Sequence, residues 1–216
     1  MVQTLEGHEI QPLITELSRR VEAHLLIEWL SNTTVEHVSG SIGKFRGTLM
    51  NGDGQREVDF GAIVVATGGT EYRPTEYLYG QDERVMTQLE LEEKLTAEPA
   101  AFQAGPRVVM IQCVGSREPE HMYCSRICCG EAVKNAITIK RLNPQAQVFI
   151  LYRDMRTYGL KELFYKEARD LGVQFVRYEL DRKPEVSATP QGLQVVVHDQ
   201  ALQMDLALPA DYLVLS

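Results

Sequence analysis

The stretch Arg107–Cys129 reads RVVMIQCVGSREPEHMYCSRICC and decides the fold, because it joins a strand to a helix through a loop that carries chemistry. The apolar, β-branched run Arg107–Gln112 predicts a strand that is buried on both faces. The segment Ser125–Leu142 has apolar residues at helical spacing and stops before Asn143-Pro144, a pair that ends helices. A buried strand followed by a helix is typical of a parallel α/β sheet.

The same alternation continues downstream of this stretch. Val148–Tyr152 predicts a strand, Gly159–Leu171 predicts a helix with Leu160 and Leu163 facing inward, and Gly172 is its expected stop. Strand and helix in alternation imply a parallel, Rossmann-like sheet with right-handed crossovers. Further strands are predicted at Val173–Val176, at Leu193–His198 paired with Gln203–Leu208 as a hairpin, and at Asp211–Leu215.

All cysteines of the chain fall in the loop and at the helix start: Cys113, Cys124, Cys128 and Cys129. Structural cysteines are usually scattered through a core, so four in one polar loop predict a ligand-binding centre. The Cys-x-x-Cys knuckles typical of structural zinc are missing, and the adjacent Cys128-Cys129 pair suits a larger object such as a four-iron cluster. Two disulfides or a redox-sensing thiol pair are the alternatives.

The turn after the first strand lacks the Gly-x-Gly-x-x-Gly fingerprint of nucleotide-binding domains. Helix amino termini favour thiolates as they favour phosphates, so we interpret the loop as a cluster site that replaces a nucleotide site at the same sheet edge. Candidate donors to sulfur are the backbone N–H groups near Gly115, Ser116 and Ser125. Three cations could offset cluster charge, although exposure to solvent is the ordinary state of such side chains; they are Arg117, Arg126 and Lys134.

Upstream, the sequence predicts a helix and a small β-meander. Pro12–Trp29 places apolar residues at four-residue steps, which predicts a stripe facing a core; they are Leu13, Leu17, Val21, Leu25 and Trp29. Thr34–Val38 predicts a strand, and Asn51-Gly52-Asp53-Gly54 predicts the turn of a hairpin between Lys44–Met50 and Gln55–Phe60. Met86–Leu95 is typical of a surface helix and Pro99–Pro106 of a linker, so a domain boundary is expected near residue 100.

Gly61–Gly69 predicts a buried strand that ends at two glycines, where backbone can approach a ligand. A tight turn is the plainer alternative. The residues Ala66, Thr67, Gly68 and Gly69 after this strand resemble the second flavin-binding motif of flavoprotein reductases with two dinucleotide-binding domains. That resemblance implies that these four residues lie against FAD.

Composition narrows the function. The chain has 216 residues, of which 44% are hydrophobic and 24% charged, as in an ordinary globular protein. The net charge of −8 argues against a nucleic-acid partner. No apolar run approaches the roughly 18 residues of a membrane span, and no signal-peptide pattern is present, so a cytoplasmic protein is expected. No Ser-His-Asp set or carboxylate pair indicates a hydrolase, and catalytic residues stay unassigned.

The run Ile111–Tyr158, with QCVGSRE, YCSRICC and YRDMRTYG, resembles the A subunit of heterodisulfide reductase and its bacterial relatives. VDFGAIVVATGGTEYRP, ELFYKEARDLGVQFVR and LPADYLVLS fit the same family. The resemblance implies a cytoplasmic oxidoreductase with a thioredoxin-reductase-like core, in which FAD lies near a 4Fe-4S cluster and electrons pass to partner iron–sulfur subunits. It implies these cluster ligands: Cys113, Cys124, Cys128 and Cys129.

This resemblance implies three parts. Residues 1–100 would be part of an FAD-binding-type domain, 101–210 a nicotinamide-domain-like unit with the cysteines, and 211–216 the start of a return to the FAD domain. The upstream flavin fingerprint and ferredoxin-type cysteine repeats are missing, so a piece of a longer chain is expected, and FAD would belong to the full protein. A metal-stabilised docking module without activity and a flavin-dependent thiol/disulfide reductase are the alternative functions.

Overall fold

The computed structural model describes residues 3–216, which divide into two compact units. The smaller unit comprises residues 11–71, and the larger comprises Tyr72–Ser216 with the segment up to Ile10. The three-part domain assignment drawn from the sequence stays a prediction.

The smaller unit contains the predicted β-meander. Its elements are α1 (Ile10–Glu22), β1 (Thr34–Ser41), β2 (Lys44–Asn51) and β3 (Gly54–Phe60). The three strands form one antiparallel sheet in the order β1-β2-β3, and Asn51 pairs with Gly54 across the predicted hairpin turn. The meander and its turn are therefore confirmed, since the glycine-rich turn and the alternating sequence favour the same register.

Two predictions in this unit are wrong. Helix α1 ends at Glu22 and none of its residues is buried, so the apolar stripe is not a core face here. The predicted strand Gly61–Gly69 is irregular, with Val64 and Val65 90% and 79% exposed. A strand buried on both faces needs neighbours that take up its backbone hydrogen bonds, and among residues 3–216 no strand pairs with this segment.

The larger unit alternates strands and helices before a final antiparallel insertion. Its elements are β4 (Val85–Thr87), α2 (Gln88–Ala97), α3 (Pro99–Gln103), β5 (Arg107–Ile111), α4 (Cys128–Leu142), β6 (Gln147–Tyr152), a short 3₁₀ turn (Gly159–Lys161), α5 (Glu162–Asp170), β7 (Gln174–Arg177), β8 (Glu185–Thr189), β9 (Gly192–Asp199), β10 (Met204–Ala210) and β11 (Tyr212–Leu215).

Five of these strands form one parallel sheet in the order β4-β11-β5-β6-β7. The predicted α/β class with a parallel sheet is confirmed. Strand β11 comes last in the sequence but lies between β4 and β5. Asp211, just before it, accepts hydrogen bonds from the Arg107 backbone N–H (2.8 Å) and the Arg107 guanidinium, which fixes the two strand starts together.

The parallel sheet is the middle of three layers. Helices α2, α3, α4 and α5 pack on one face and the antiparallel sheet β8-β9-β10 packs on the other. Along β5, Val108 and Met110 belong to the helical core, whereas Val109 and Ile111 belong to the core under the antiparallel sheet. This alternation explains why the strand reads as a continuous apolar run, because both faces are buried.

Other local predictions are wrong where long-range packing decides. The expected linker Pro99–Pro106 contains α3, whose Phe102 is fully buried and stacks on Tyr212 at 5.2 Å between ring centroids. The expected surface helix buries Leu91 completely. Leu160 and Leu163, predicted to face inward, are 82% and 65% exposed. Across the described part of the chain, no helix combines the length and apolar character of a membrane span.

Candidate cysteine centre

The cysteines lie at the carboxyl edge of the parallel sheet. Strand β5 ends at Ile111, the loop follows, and α4 begins at Cys128, as the sequence predicts. Strand β6 pairs with β5 and ends at Tyr152, so the segment 153–158 reaches the same edge. The carboxyl edge is where open α/β sheets bind ligands, so the predicted position of the centre agrees with the fold.

All four cysteines are free thiols, and two of them are buried. Cys113 and Cys129 are 5% and 2% exposed, whereas Cys124 and Cys128 are partly exposed. The Cys128 thiol interacts electrostatically with each of the other three. The structure therefore brings the four predicted ligands into one neighbourhood.

The thiols have different proton affinities. A hydrogen bond within the adjacent pair raises the pKa of Cys128, and the same bond lowers the pKa of Cys129 to about 7. The backbone N–H and the charge of Arg156 also lower the pKa of Cys129. Burial raises the pKa of Cys113, and the Arg117 guanidinium opposes that rise. Thiolate, the form that binds metals, is thus most accessible at Cys129.

The loop backbone is unusual around the first cysteine. Cys113, Gly115 and Arg117 have φ angles of 65°, 64° and 57°, in the left-handed region that favours glycine. The Tyr72 ring lies so close to Gly115 that a Cβ there would be 2.2 Å from its Cε1 atom. Such strained backbone persists only where the surroundings impose it, and it concentrates at functional sites.

The cations expected near the cysteines differ in their environments. The Arg117 Nη1 atom is 3.8 Å from the Cys113 Sγ atom, and its other terminal nitrogen pairs with Asp154. Arg126 is exposed, but its backbone N–H donates to the Cys124 Sγ atom at 3.4 Å. Lys134 was expected beside the centre, but it is buried in ion pairs on the α2 and α4 side; its partners are Glu92 and Glu131.

The predicted backbone donors are also replaced by others. The Ser116 N–H donates to the Cys113 carbonyl oxygen rather than to a sulfur. The donors that reach sulfur are the N–H groups of Arg126 and Arg156.

Sequence reasoning missed the contribution of the segment after β6. The Arg153 guanidinium donates to the Ser116 and Arg117 carbonyl oxygens, at 3.4 and 2.8 Å. The Asp154 carbonyl oxygen is 3.8 Å from the Cys129 Sγ atom. A signal was available, because neighbouring parallel strands end at the same edge and YRDMRTYG begins at the end of β6.

The donor set is chemically suited to an iron–sulfur centre, which cysteine thiolates hold. Beside it, a cavity of about 240 Å³ has Cys113, Tyr77, Arg153 and Tyr178 in its wall. Among the described residues, no three His, Cys, Asp or Glu side chains are arranged to hold a metal ion. Ligation of a cluster by these cysteines stays a prediction.

The residues expected to contact FAD lie in the smaller unit. Ala66, Thr67, Gly68 and Gly69 are exposed and belong to the irregular segment after β3. Gly68 has a φ angle of 70°, which a glycine adopts without strain. Their role in binding FAD stays a prediction.

Comparison with known proteins identifies relatives by sequence, each of them the A subunit of a heterodisulfide reductase. The chain is 35% identical to that of the ferredoxin:CoB-CoM heterodisulfide reductase of Methanosarcina acetivorans, over 74% of this chain and 25% of that protein. It is 38% identical to that of the H(2)/formate:CoB-CoM heterodisulfide,ferredoxin reductase of Methanococcus maripaludis, over 74% and 26%. It is also 38% identical to the iron-sulfur A subunit of the CoB--CoM heterodisulfide reductase of Methanocaldococcus jannaschii, over 72% and 26%.

No family model matches the chain. Among solved structures, L-lysine 6-monooxygenase from Pseudomonas syringae is similar with a TM-score of 0.49 and 13% identity, over 98% of this chain and 59% of that one. The chain spans about a quarter of the length of the curated relatives that it matches. By its sequence, it belongs to the family of heterodisulfide reductase A subunits.

Proposed function

We propose that this chain is the cluster-carrying segment of an FAD-containing oxidoreductase, and that electrons pass there between flavin and a four-iron cluster. The observation that carries the proposal is the gathering of four free thiols at the carboxyl edge of the sheet, where the Cys128 thiol interacts with the other three. A relative named as an iron-sulfur subunit supports it.

Each residue has a proposed task. Cys113, Cys124, Cys128 and Cys129 would hold the cluster, two from the loop and two from the first turn of α4. The N–H groups that reach Cys124 and Cys129 would stabilise negative charge on sulfur. A four-iron cluster exchanges single electrons, whereas FAD exchanges one or two, so the two cofactors together can divide or combine electron pairs.

The remaining features belong to the whole protein and are proposed with it. FAD would contact residues 66–69, and other iron–sulfur subunits would be the electron-transfer partners. Relatives named as subunits of heterodisulfide reductases support an assembly of this kind. A cytoplasmic location suits oxygen-sensitive clusters and reduced thiols.

The test is iron and sulfide analysis with low-temperature EPR after dithionite reduction, on protein purified without oxygen. We expect about four irons per chain and a reduced-cluster signal. Cys128→Ser and Cys129→Ser should each lose most of the iron and the signal. Met122→Ser is a matched control, because Met122 lies in the same loop, is 82% exposed and is not among the proposed ligands.

Other outcomes favour the alternatives. One tightly held zinc without colour would favour the docking module, whose stability should collapse when a chelator is added. Reversible thiol titration without iron, even after anaerobic reconstitution, would favour a flavin-dependent thiol/disulfide reductase. Far-UV circular dichroism of each variant separates loss of the centre from loss of the fold.

A further inference from the structure

Arg117 is held against the cysteine centre and is poorly exposed to solvent. Its side chain is 15% exposed, and its Nη1 atom is 3.8 Å from the Cys113 Sγ atom. Exposed cations are screened by water and contribute little, but screening weakens as a charge is buried. The charge of Arg117 therefore acts on Cys113 more strongly than the charge of a surface arginine would.

Contacts on both backbone and side chain fix the position of Arg117. Its carbonyl oxygen accepts a hydrogen bond of 2.8 Å from the Arg153 guanidinium, which also reaches the Ser116 carbonyl oxygen. The Nη2 atom of Arg117 pairs with the Asp154 carboxylate. A side chain tethered at both ends cannot swing away from the sulfur without breaking one of these contacts.

Asp154 places a negative charge in the same arrangement. Its carboxylate pairs with Arg117 and lies 4.0 Å from the Arg156 guanidinium, while its carbonyl oxygen lies 3.8 Å from the Cys129 Sγ atom. The side chain of Asp154 is half exposed, so its charge is screened more than that of Arg117. The pair therefore leaves a net positive influence on the buried side, next to Cys113.

We propose that Arg117 and Asp154 form a charge pair that sets the reduction potential of the centre, with Arg117 raising the potential and Asp154 moderating that rise. This inference rests on the proposed function. Reduction adds one negative charge to the centre, so a nearby cation stabilises the reduced form and a nearby anion destabilises it. Both are positioning residues, because they act through the cysteines rather than on a substrate.

The test is a potentiometric titration of the EPR signal in variants of the whole chain. Arg117→Gln should make reduction at least tenfold less favourable, which for a one-electron couple is a fall of about 59 mV. Asp154→Asn should shift the equilibrium in the opposite direction, and the double variant should return toward wild type. Arg117→Lys keeps the charge and should recover most of the loss. Arg126→Gln is the matched control, since it removes one charge from an exposed position of the same loop and should shift the equilibrium less than about twofold.

A purely structural role would not produce shifts of opposite sign. The inference is overturned when iron content is unchanged and Arg117→Gln and Asp154→Asn shift the potential in the same direction, or no further than Arg126→Gln does. If Arg117→Gln loses its iron, the sign of the shift in Asp154→Asn decides. A wild-type chain that binds no iron overturns the proposed function instead, and this inference with it, so the iron assay separates the two failures.

Discussion

Substitution of Gly115 by alanine tests whether the cysteine loop needs its close contact with Tyr72. A Cβ at this position would lie 2.2 Å from Cε1 and 2.3 Å from Cζ of the Tyr72 ring, far inside van der Waals contact. The φ angle of 64° adds a second cost, because a residue with a Cβ is disfavoured there. The substitution therefore combines a clash with backbone strain.

Both costs have known ranges. A residue other than glycine in the left-handed region costs about 1–2 kcal/mol, and overpacking of this kind costs about 1–3 kcal/mol. We expect Gly115→Ala to lower the free energy of unfolding by roughly 2–5 kcal/mol, a large part of the roughly 5–15 kcal/mol of a typical domain. Tyr72 is 41% exposed and can move aside, so the lower half of this range is the more direct expectation.

Urea unfolding followed by far-UV circular dichroism measures this effect, because the larger unit contains most of the helices. In the double variant Gly115→Ala/Tyr72→Ala the clash is gone, so only the backbone cost of about 1–2 kcal/mol should remain beyond the loss of Tyr72 itself. Gly130→Ala is the matched control, since nothing lies within 4 Å of its Cβ position in α4, and alanine there should stabilise by about 0.5–1 kcal/mol. The reasoning is refuted if Gly115→Ala is as stable as wild type, or if removing Tyr72 rescues nothing.

Three further substitutions probe the larger unit by the same unfolding measurement. Asp211→Asn should cost ~1 kcal/mol at neutral pH, because the Arg107 guanidinium holds the pKa of Asp211 below its usual value; this difference should persist above about pH 4 and vanish as the pH falls through the lowered pKa, so a difference that grows in acid would contradict it. Tyr178→Phe should cost about 1–3 kcal/mol, since it leaves the buried Gln112 carbonyl oxygen without its hydroxyl donor, and an unchanged midpoint would show that the bond is unimportant. Phe102→Ala should cost about 3–5 kcal/mol because the side chain is fully buried, and a loss below 1 kcal/mol would argue against α3 as a part of the core.

The sequence predicted those elements whose local pattern and tertiary environment agree. Strand β5 is a continuous apolar run because it is buried on both faces, and α4 begins at Cys128 because its helical spacing has a clear start and stop. The hairpin turn was predicted because Asn51-Gly52-Asp53-Gly54 favours one backbone geometry. Local chemistry determined all three.

Other features depend on partners far away in the sequence. Strand β4 has only three residues, too few for a periodic pattern, and exists because β11 pairs with it. The run Gly61–Gly69 has the composition of a buried strand but no neighbour among the described residues. The burial of Arg117 depends on Asp154, 37 residues later, so its composition alone suggested a solvated charge.

The position of β11 has a consequence for folding kinetics. Residues 212–215 join β4 to β5, and the hydrogen bond between Arg107 and Asp211 spans 104 residues of sequence. Contacts of such high sequence separation slow folding, because a long loop must close before any of them forms. Until that strand inserts, β4 and β5 each present an unpaired edge to other chains. The centre of the sheet should therefore be among the last regions to form, and refolding yield should fall with protein concentration.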